Sequence, residues 1–158
     1  MKFTKIRFLL FCLIVISVSI LPITKPIFSK FKDIENTTYF FYSNDFVNDI
    51  NANVIRSGNS FIISCDASLA SKVKNSLCDI LGESVRIRNY TNQTLNAIMQ
   101  NYQNKIIKQE VIDNIEIFYC YDSSLERCVY FSNSKINVQI AVKDNEINIG
   151  YPLILNGY

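Results

Sequence analysis

The sequence predicts an α+β fold: two helices packed on one face of an antiparallel sheet, in the order β-hairpin, α, β, α, β-meander. Three observations carry this. Apolar residues recur at helical spacing in two windows, both before Gln103. From Lys105 onward the apolar period shortens to two, and short Asp, Asn and Ser separators break it where turns are needed. The chain has 158 residues, enough for one modest domain. Its 49% apolar and 19% charged residues, with four Gly and three Pro, exclude a disordered or collagen-like chain.

Residues 25–38 mix Pro, Lys, Ser and Asp and read as a linker, so a single folded domain is expected over 39–158. It opens on the aromatic run Tyr39-Phe40-Phe41-Tyr42, expected to pack onto the domain. Residues 53–56 and 61–64 are β-prone runs around Ser57-Gly58-Asn59, a hairpin turn. Asp66 offers an N-cap, and Leu69, Val73, Leu77, Ile80 and Leu81 follow at helical spacing until Gly82, read as the stop. Lys72, Lys74 and Asn75 fall on the solvent face of that helix. Residues 84–88 alternate, with Val85 and Ile87 inward, and form a strand. Thr91 or Asn92 caps a second helix carrying Leu95, Ile98, Met99 and Tyr102 on one face. The meander comprises 106–112, 115–121, 128–132, 136–142 and 146–149, with turns at Asp113-Asn114, 122–127, Asn133-Ser134 and Asp144-Asn145.

Residues 1–24 read as an export segment. Lys2, Lys5 and Arg7 form a basic start, and residues 8–21 are an apolar run interrupted by Ser17 and Ser19. Two outcomes are open: a cleaved signal peptide, with Ser17-Val18-Ser19 as a small-x-small site, or an uncleaved signal anchor. The apolar stretch of about 16 residues is marginally short of the ~20 that span a bilayer. Phe11 before Cys12 excludes a lipoprotein cysteine. The domain is expected to be extracytoplasmic, either membrane-anchored or secreted.

Of 16 basic residues, Lys2, Lys5, Arg7 and Lys25 precede Phe28, and all 14 acidic residues follow it, so the exported part carries a charge near −2. A nucleic-acid partner needs a clustered basic face, and none is legible. His is absent, which removes the commonest general base and metal ligand. The five cysteines contain no CxxC pair, so no zinc site is expected. Asp45/Asp49 and Asp113/Glu116 have ordinary solvent-facing spacings, and four scattered glycines build no phosphate loop. Cys65 comes closest to a nucleophile because it ends a strand just before a helix, but the charge of Asp66 opposes thiolate formation. The expectation is no catalytic residue, no cofactor and no metal. One cysteine pair stands out. In a hairpin centred on Ser124, Cys120 and Cys128 lie opposite, with Cβ atoms about 4.5–5.5 Å apart. That is wide of the ~3.8 Å a disulfide prefers, which implies a redox-labile pair rather than a staple.

The C-terminal residues carry a resemblance. Ile136-Asn137-Val138-Gln139-Ile140-Ala141-Val142-Lys143 precedes Ile147-Asn148-Ile149-Gly150-Tyr151-Pro152-Leu153-Ile154 and the terminal Tyr158. This "N-apolar-Q-apolar-A" strand, leading to a "G-x-P-apolar-apolar" strand that closes on Tyr, resembles the end of the YwmB family. The strand at 115–121 and its charged loop also fit, so the resemblance spans residues 99–158. It implies export, a setting in spore-forming Gram-positive bacteria and a fold related to the TATA-box-binding protein. YwmB proteins are longer, with two similar halves, and this chain has the length of about one half. The family's function is not established and it has no catalytic motif. Gln139, Gly150, Pro152 and Tyr158 are therefore expected to be structural. Gly150 permits a bend or close backbone approach, Pro152 suits a strand end, and Gln139 satisfies a neighbouring backbone group.

These readings point to a non-enzymatic interaction module of the cell envelope, linked to sporulation or envelope maintenance. Its partners would be other exported or membrane proteins, met through the sheet face or residues 39–42, with the membrane engaged through the N-terminal segment. The alternative is an extracytoplasmic domain that binds a small ligand or peptide between helices and sheet.

Overall fold

Residues 31–44 and 51–157 are described in this computed structural model. The export segment 1–24 with Cys12, linker residues 25–30, Asp45, Asp49 and Tyr158 lie outside the described residues. Within them the chain runs β1 (Thr37–Ser43), β2 (Asn53–Ser57), β3 (Ser60–Asp66), α1 (Ala67–Asn75), β4 (Ile80–Arg88) and α2 (Asn92–Tyr102). After a 3-10 turn follow β5 (Ile106–Ile112), β6 (Ile115–Cys120), β7 (Val129–Phe131), β8 (Ser134–Ile136), β9 (Val138–Lys143) and β10 (Glu146–Tyr151). Eight strands form one sheet in the order β2-β3-β1-β4-β10-β9-β6-β5, every pairing antiparallel. β7 and β8 pair only with each other.

The pleat sends alternate side chains to one face, and the two helices bury that face. Tyr39 and Phe41, Ile63 and Cys65, Val85 and Ile87, Ile147 and Ile149, Val138 and Ile140, and Phe118 and Cys120 form its sheet side. Ala70 and Val73 of α1, Leu77, and Ile98 and Tyr102 of α2 close over them. The fold is therefore α+β with both helices on one sheet face. A second, smaller cluster lies on the opposite face. There Ile115, Ile117, Tyr119 and Ala141 meet Ile136 and Ile154, with Val129, Phe131 and Leu153 packed around them. The β7–β8 ribbon and the tail after β10 supply that cover.

Three expectations need correction. The aromatic run packs into the domain as expected, as β1 between β3 and β4 with Tyr39, Phe41 and Tyr42 buried, but order begins earlier than Tyr39: β1 starts at Thr37 and Phe31 is buried in the core. Phe40 alone of the four stays half-buried. The first helix ends at Asn75, not at Gly82. Ser76 turns the chain by placing its N–H and hydroxyl on the Val73 carbonyl, at 3.1 and 2.6 Å. Ile80 and Gly82 then pair with Ser43 and Tyr42, so sheet pairing with β1 overrides the helical spacing. Gly82 is a site of close approach, because a Cβ there would stand 3.0 Å from the Tyr151 carbonyl oxygen. Asp66 holds the N-cap position with extended backbone, but its side chain makes no cap hydrogen bond; Thr91 does cap α2, accepting from Thr94 N–H at 3.1 Å.

The third correction concerns residues 128–142. The expected strand 136–142 breaks at Asn137, whose side chain turns inward to bond the backbone of Asp122, leaving Ile136 to the ribbon. The hairpin turn there is Ser132-Asn133, with φ +48° and +66°, one residue earlier than expected. Asp113-Asn114 forms the expected turn between β5 and β6, with φ +50° and +64°.

Candidate functional site

The C-terminal residues singled out by sequence build a clasp across the outer sheet face. The backbone after β10 doubles back so tightly that a Cβ on Gly150 would lie 2.3 Å from both Ile154 N and Leu153 C. Pro152 directly follows β10. The Gln139 side-chain oxygen, buried on β9, accepts from Ile154 N–H at 3.0 Å. The Asn156 side-chain oxygen accepts from the Tyr42 hydroxyl at 2.8 Å and from Ser84 at 3.3 Å. Tyr151 accepts from Arg127 N–H at 2.8 Å, and the Arg127 guanidinium donates to the Ile80 carbonyl. Gln139, Gly150 and Pro152 thus converge on one structural joint.

Cys120 and Cys128 are not opposed. Cys120 ends β6, in register with Ile106 of β5 and Val138 of β9, whereas β7 leaves the sheet to pair with β8. Cys120 is buried and Cys128 exposed, both as free thiols, so the hairpin premise of a labile pair is overturned. The physical cause is a polar knot that the sequence did not reveal. Asp122, buried, accepts from Lys105 Nζ at 2.8 Å and from the Ser124 N–H and hydroxyl at 3.0 and 2.6 Å. Asn137 locks the same segment through both backbone groups of Asp122, at 2.7 and 2.8 Å. Burial pushes the Asp122 carboxyl up, but the Lys105 and Ser124 bonds outweigh it and hold its pKa down at about 2. Burial pushes the Cys120 thiol up to about 11, and burial followed by the Asp66 charge does the same to Cys65. Neither thiol is a ready nucleophile.

The described sheet has two open edges: β2, which exposes one large apolar residue, Ile55, and β5, which exposes three. β5 is the last strand of the sheet, paired with β6 on one side, and among the described residues no strand pairs with its other side. Ile107, Val111 and Ile112 on it are 49, 67 and 49% exposed. An edge with free backbone groups and apolar side chains is a template for another strand. Its two charges are Lys108 and Glu110, which meet each other at 2.7 Å. Lys108 also stands 4.7 Å over the Phe131 ring, which stacks on Tyr119 at 4.6 Å, and the Tyr119 hydroxyl donates to Glu110 at 2.6 Å. Hydrogen bonds from Lys108 and then Tyr119 hold the Glu110 carboxyl below its ordinary pKa. Beside this patch Tyr130 is 72% exposed.

The chain matches no family model, no curated protein and no solved structure. Among the described residues, no group of three or more His, Cys, Asp and Glu side chains is placed to hold a metal. Among them, too, no helix is long and apolar enough to cross a membrane. Sequence reading placed β5 at its correct bounds but had no signal for its edge position, which depends on β10 pairing with β4.

Proposed function

We propose that the chain is a non-enzymatic interaction module of the cell envelope, held at or released from the outer face of the membrane by residues 1–24, and that it engages exported or membrane proteins through the β5 edge. The observation that carries this reading is the seven-residue open strand with Ile107, Val111 and Ile112 turned out to solvent. Strand addition to such an edge gains main-chain hydrogen bonds along with side-chain contacts. The YwmB resemblance contributes the expectation of an exported, non-catalytic domain, and the buried Cys65 and Cys120 thiols favour no covalent chemistry.

The test has two parts. A reporter fused after Tyr158 should be active only outside the cytoplasm. Crosslinking in native membranes followed by co-purification should capture a protein partner with the wild-type chain and lose it with Val111→Lys, which puts a charge on the edge without touching the core. Cytoplasmic reporter activity, or capture unchanged by Val111→Lys, refutes the proposal.

The small-ligand reading has one observation in its favour, a groove of about 320 Å³ lined by Phe31, Ile34, Ala97, Ile98 and Tyr102. That is near the lower limit for ligand cavities.

A further inference from the structure

The β5 edge is complementary to its own reversed sequence. Its residues are Ile106-Ile107-Lys108-Gln109-Glu110-Val111-Ile112. About Gln109 they are arranged as apolar, apolar, basic, polar, acidic, apolar, apolar. An antiparallel partner of identical sequence, centred on Gln109, would set Lys108 opposite Glu110 and Ile107 opposite Val111, each pairing occurring twice. We propose that the partner of this edge is a second copy of the chain, joined β5 to β5 by a two-fold axis through Gln109. This rests on the reading of β5 as an interaction edge and names its occupant.

The structure supports the match at several points. Lys108 and Glu110 share one sheet face, in register with Tyr119 and Ile117. Directly opposed residues of antiparallel strands also share a face, so both intermolecular ion pairs would form there. Each copy already holds its Lys108 and Glu110 together at 2.7 Å, so the joined ribbon brings four charges of alternating sign into a two-by-two block. Val111, the most exposed apolar residue of the strand, lies on the other face in register with Glu116 and is covered by Ile107 of the partner copy. The register irregularity between Ile106 and Lys108 turns Ile106 to the helix face, away from Ile112, so the match is confined to Lys108-Gln109-Glu110 and the flanking Ile107 and Val111. A parallel arrangement in register would oppose Lys108 to Lys108 and Glu110 to Glu110, so the charges select the antiparallel one. Joining of this kind is isologous and closes at two copies. One strand makes a small interface, so the dimer is weak and concentration-dependent.

The test is a charge exchange on the full-length chain in detergent, read by sedimentation over a concentration series. Wild type should dimerise. Lys108→Glu alone and Glu110→Lys alone each set like charges opposite one another at two places and should weaken self-association at least about tenfold. Mixed in equal amounts, these two variants should form a heterodimer, since every opposed pair is again of opposite sign. The double variant Lys108→Glu/Glu110→Lys keeps both the intrachain and the intermolecular pairs. It should dimerise with itself like wild type and pair poorly with wild type. A wild-type chain that stays monomeric, single variants that dimerise unchanged, or a mixture that does not associate each overturn the inference. A monomeric wild type whose captured membrane partner is lost in Val111→Lys overturns self-pairing alone. If that capture is also unchanged, the edge reading falls with it.

Discussion

Gly150→Ala should detach the C-terminal clasp. A Cβ at this position would stand 2.3 Å from Ile154 N and from Leu153 C, and both obstacles are backbone, so no rotamer relieves them. The tail must lift. Lifting exposes Ile154, now buried, at a cost of about 1.5–3 kcal/mol. It also breaks the bonds from Ile154 N–H to Gln139 and from Tyr42 to Asn156, each worth about 1 kcal/mol net. The expected loss is about 4 kcal/mol, a large share of the ~5–15 kcal/mol that holds a small domain together. Gln139→Leu leaves Ile154 N–H unsatisfied and should cost about 1–3 kcal/mol. The two changes act on one joint, so the double variant should lose little more than Gly150→Ala alone. Urea unfolding of the full-length chain in detergent, followed by circular dichroism, measures all three. A loss below about 1 kcal/mol for Gly150→Ala, or strict additivity in the double variant, refutes the clasp.

Further outcomes follow from the same packing. The Asp122 carboxyl is held at about 2 against an ordinary 3.8, so its stabilisation is complete above the ordinary value and is lost as pH falls through about 2. That is at most about 2 kcal/mol, and Asp122→Asn should remove this part of the acid lability in pH-dependent unfolding. Lys74, expected on the solvent face, instead reaches the buried Glu83 at 2.9 Å. Lys74→Asp should therefore destabilise by roughly 3 kcal/mol or more, and a loss under 0.5 kcal/mol on thermal unfolding would exclude the pair as a contributor. Leu77, buried just past α1, should tolerate Asp no better, at a cost of several kcal/mol in the same assay. Thiol alkylation with mass spectrometry should label Cys78 and Cys128 quickly and spare Cys65 and Cys120 until the chain unfolds. Mild oxidation should give no 120–128 crosslink, and its appearance would contradict the β6 register.

Local patterning made much of this fold legible. Val85 and Ile87 point inward, β5 has its expected bounds, and Ile98 and Tyr102 share the buried face of α2, because period and turn chemistry act over a few residues. What was not legible depends on partners distant in sequence. Ile80 and Gly82 fit a helix until β1 claims them as sheet partners. Tyr39 and Phe41 became central because β1 inserts between β3 and β4, an order no local signal encodes. Asp122 and Asn137 looked like ordinary turn and strand residues, and their knot is what draws residues 121–128 out of the hairpin that would have opposed Cys120 and Cys128. The clasp was half legible. Gln139 and Gly150 were singled out one by one, but that they meet at Ile154 follows only from the folded-back tail.

The most direct measurement is position-resolved photo-crosslinking in native membranes, with a photoreactive residue placed in turn at Val111 on β5 and at Gln93, exposed on α2. Protein crosslinks should arise from Val111 and be absent from Gln93, because of the two only Val111 lies on an open sheet edge. Equal crosslinking from both positions, or none from Val111, would contradict an interaction role for the β5 edge.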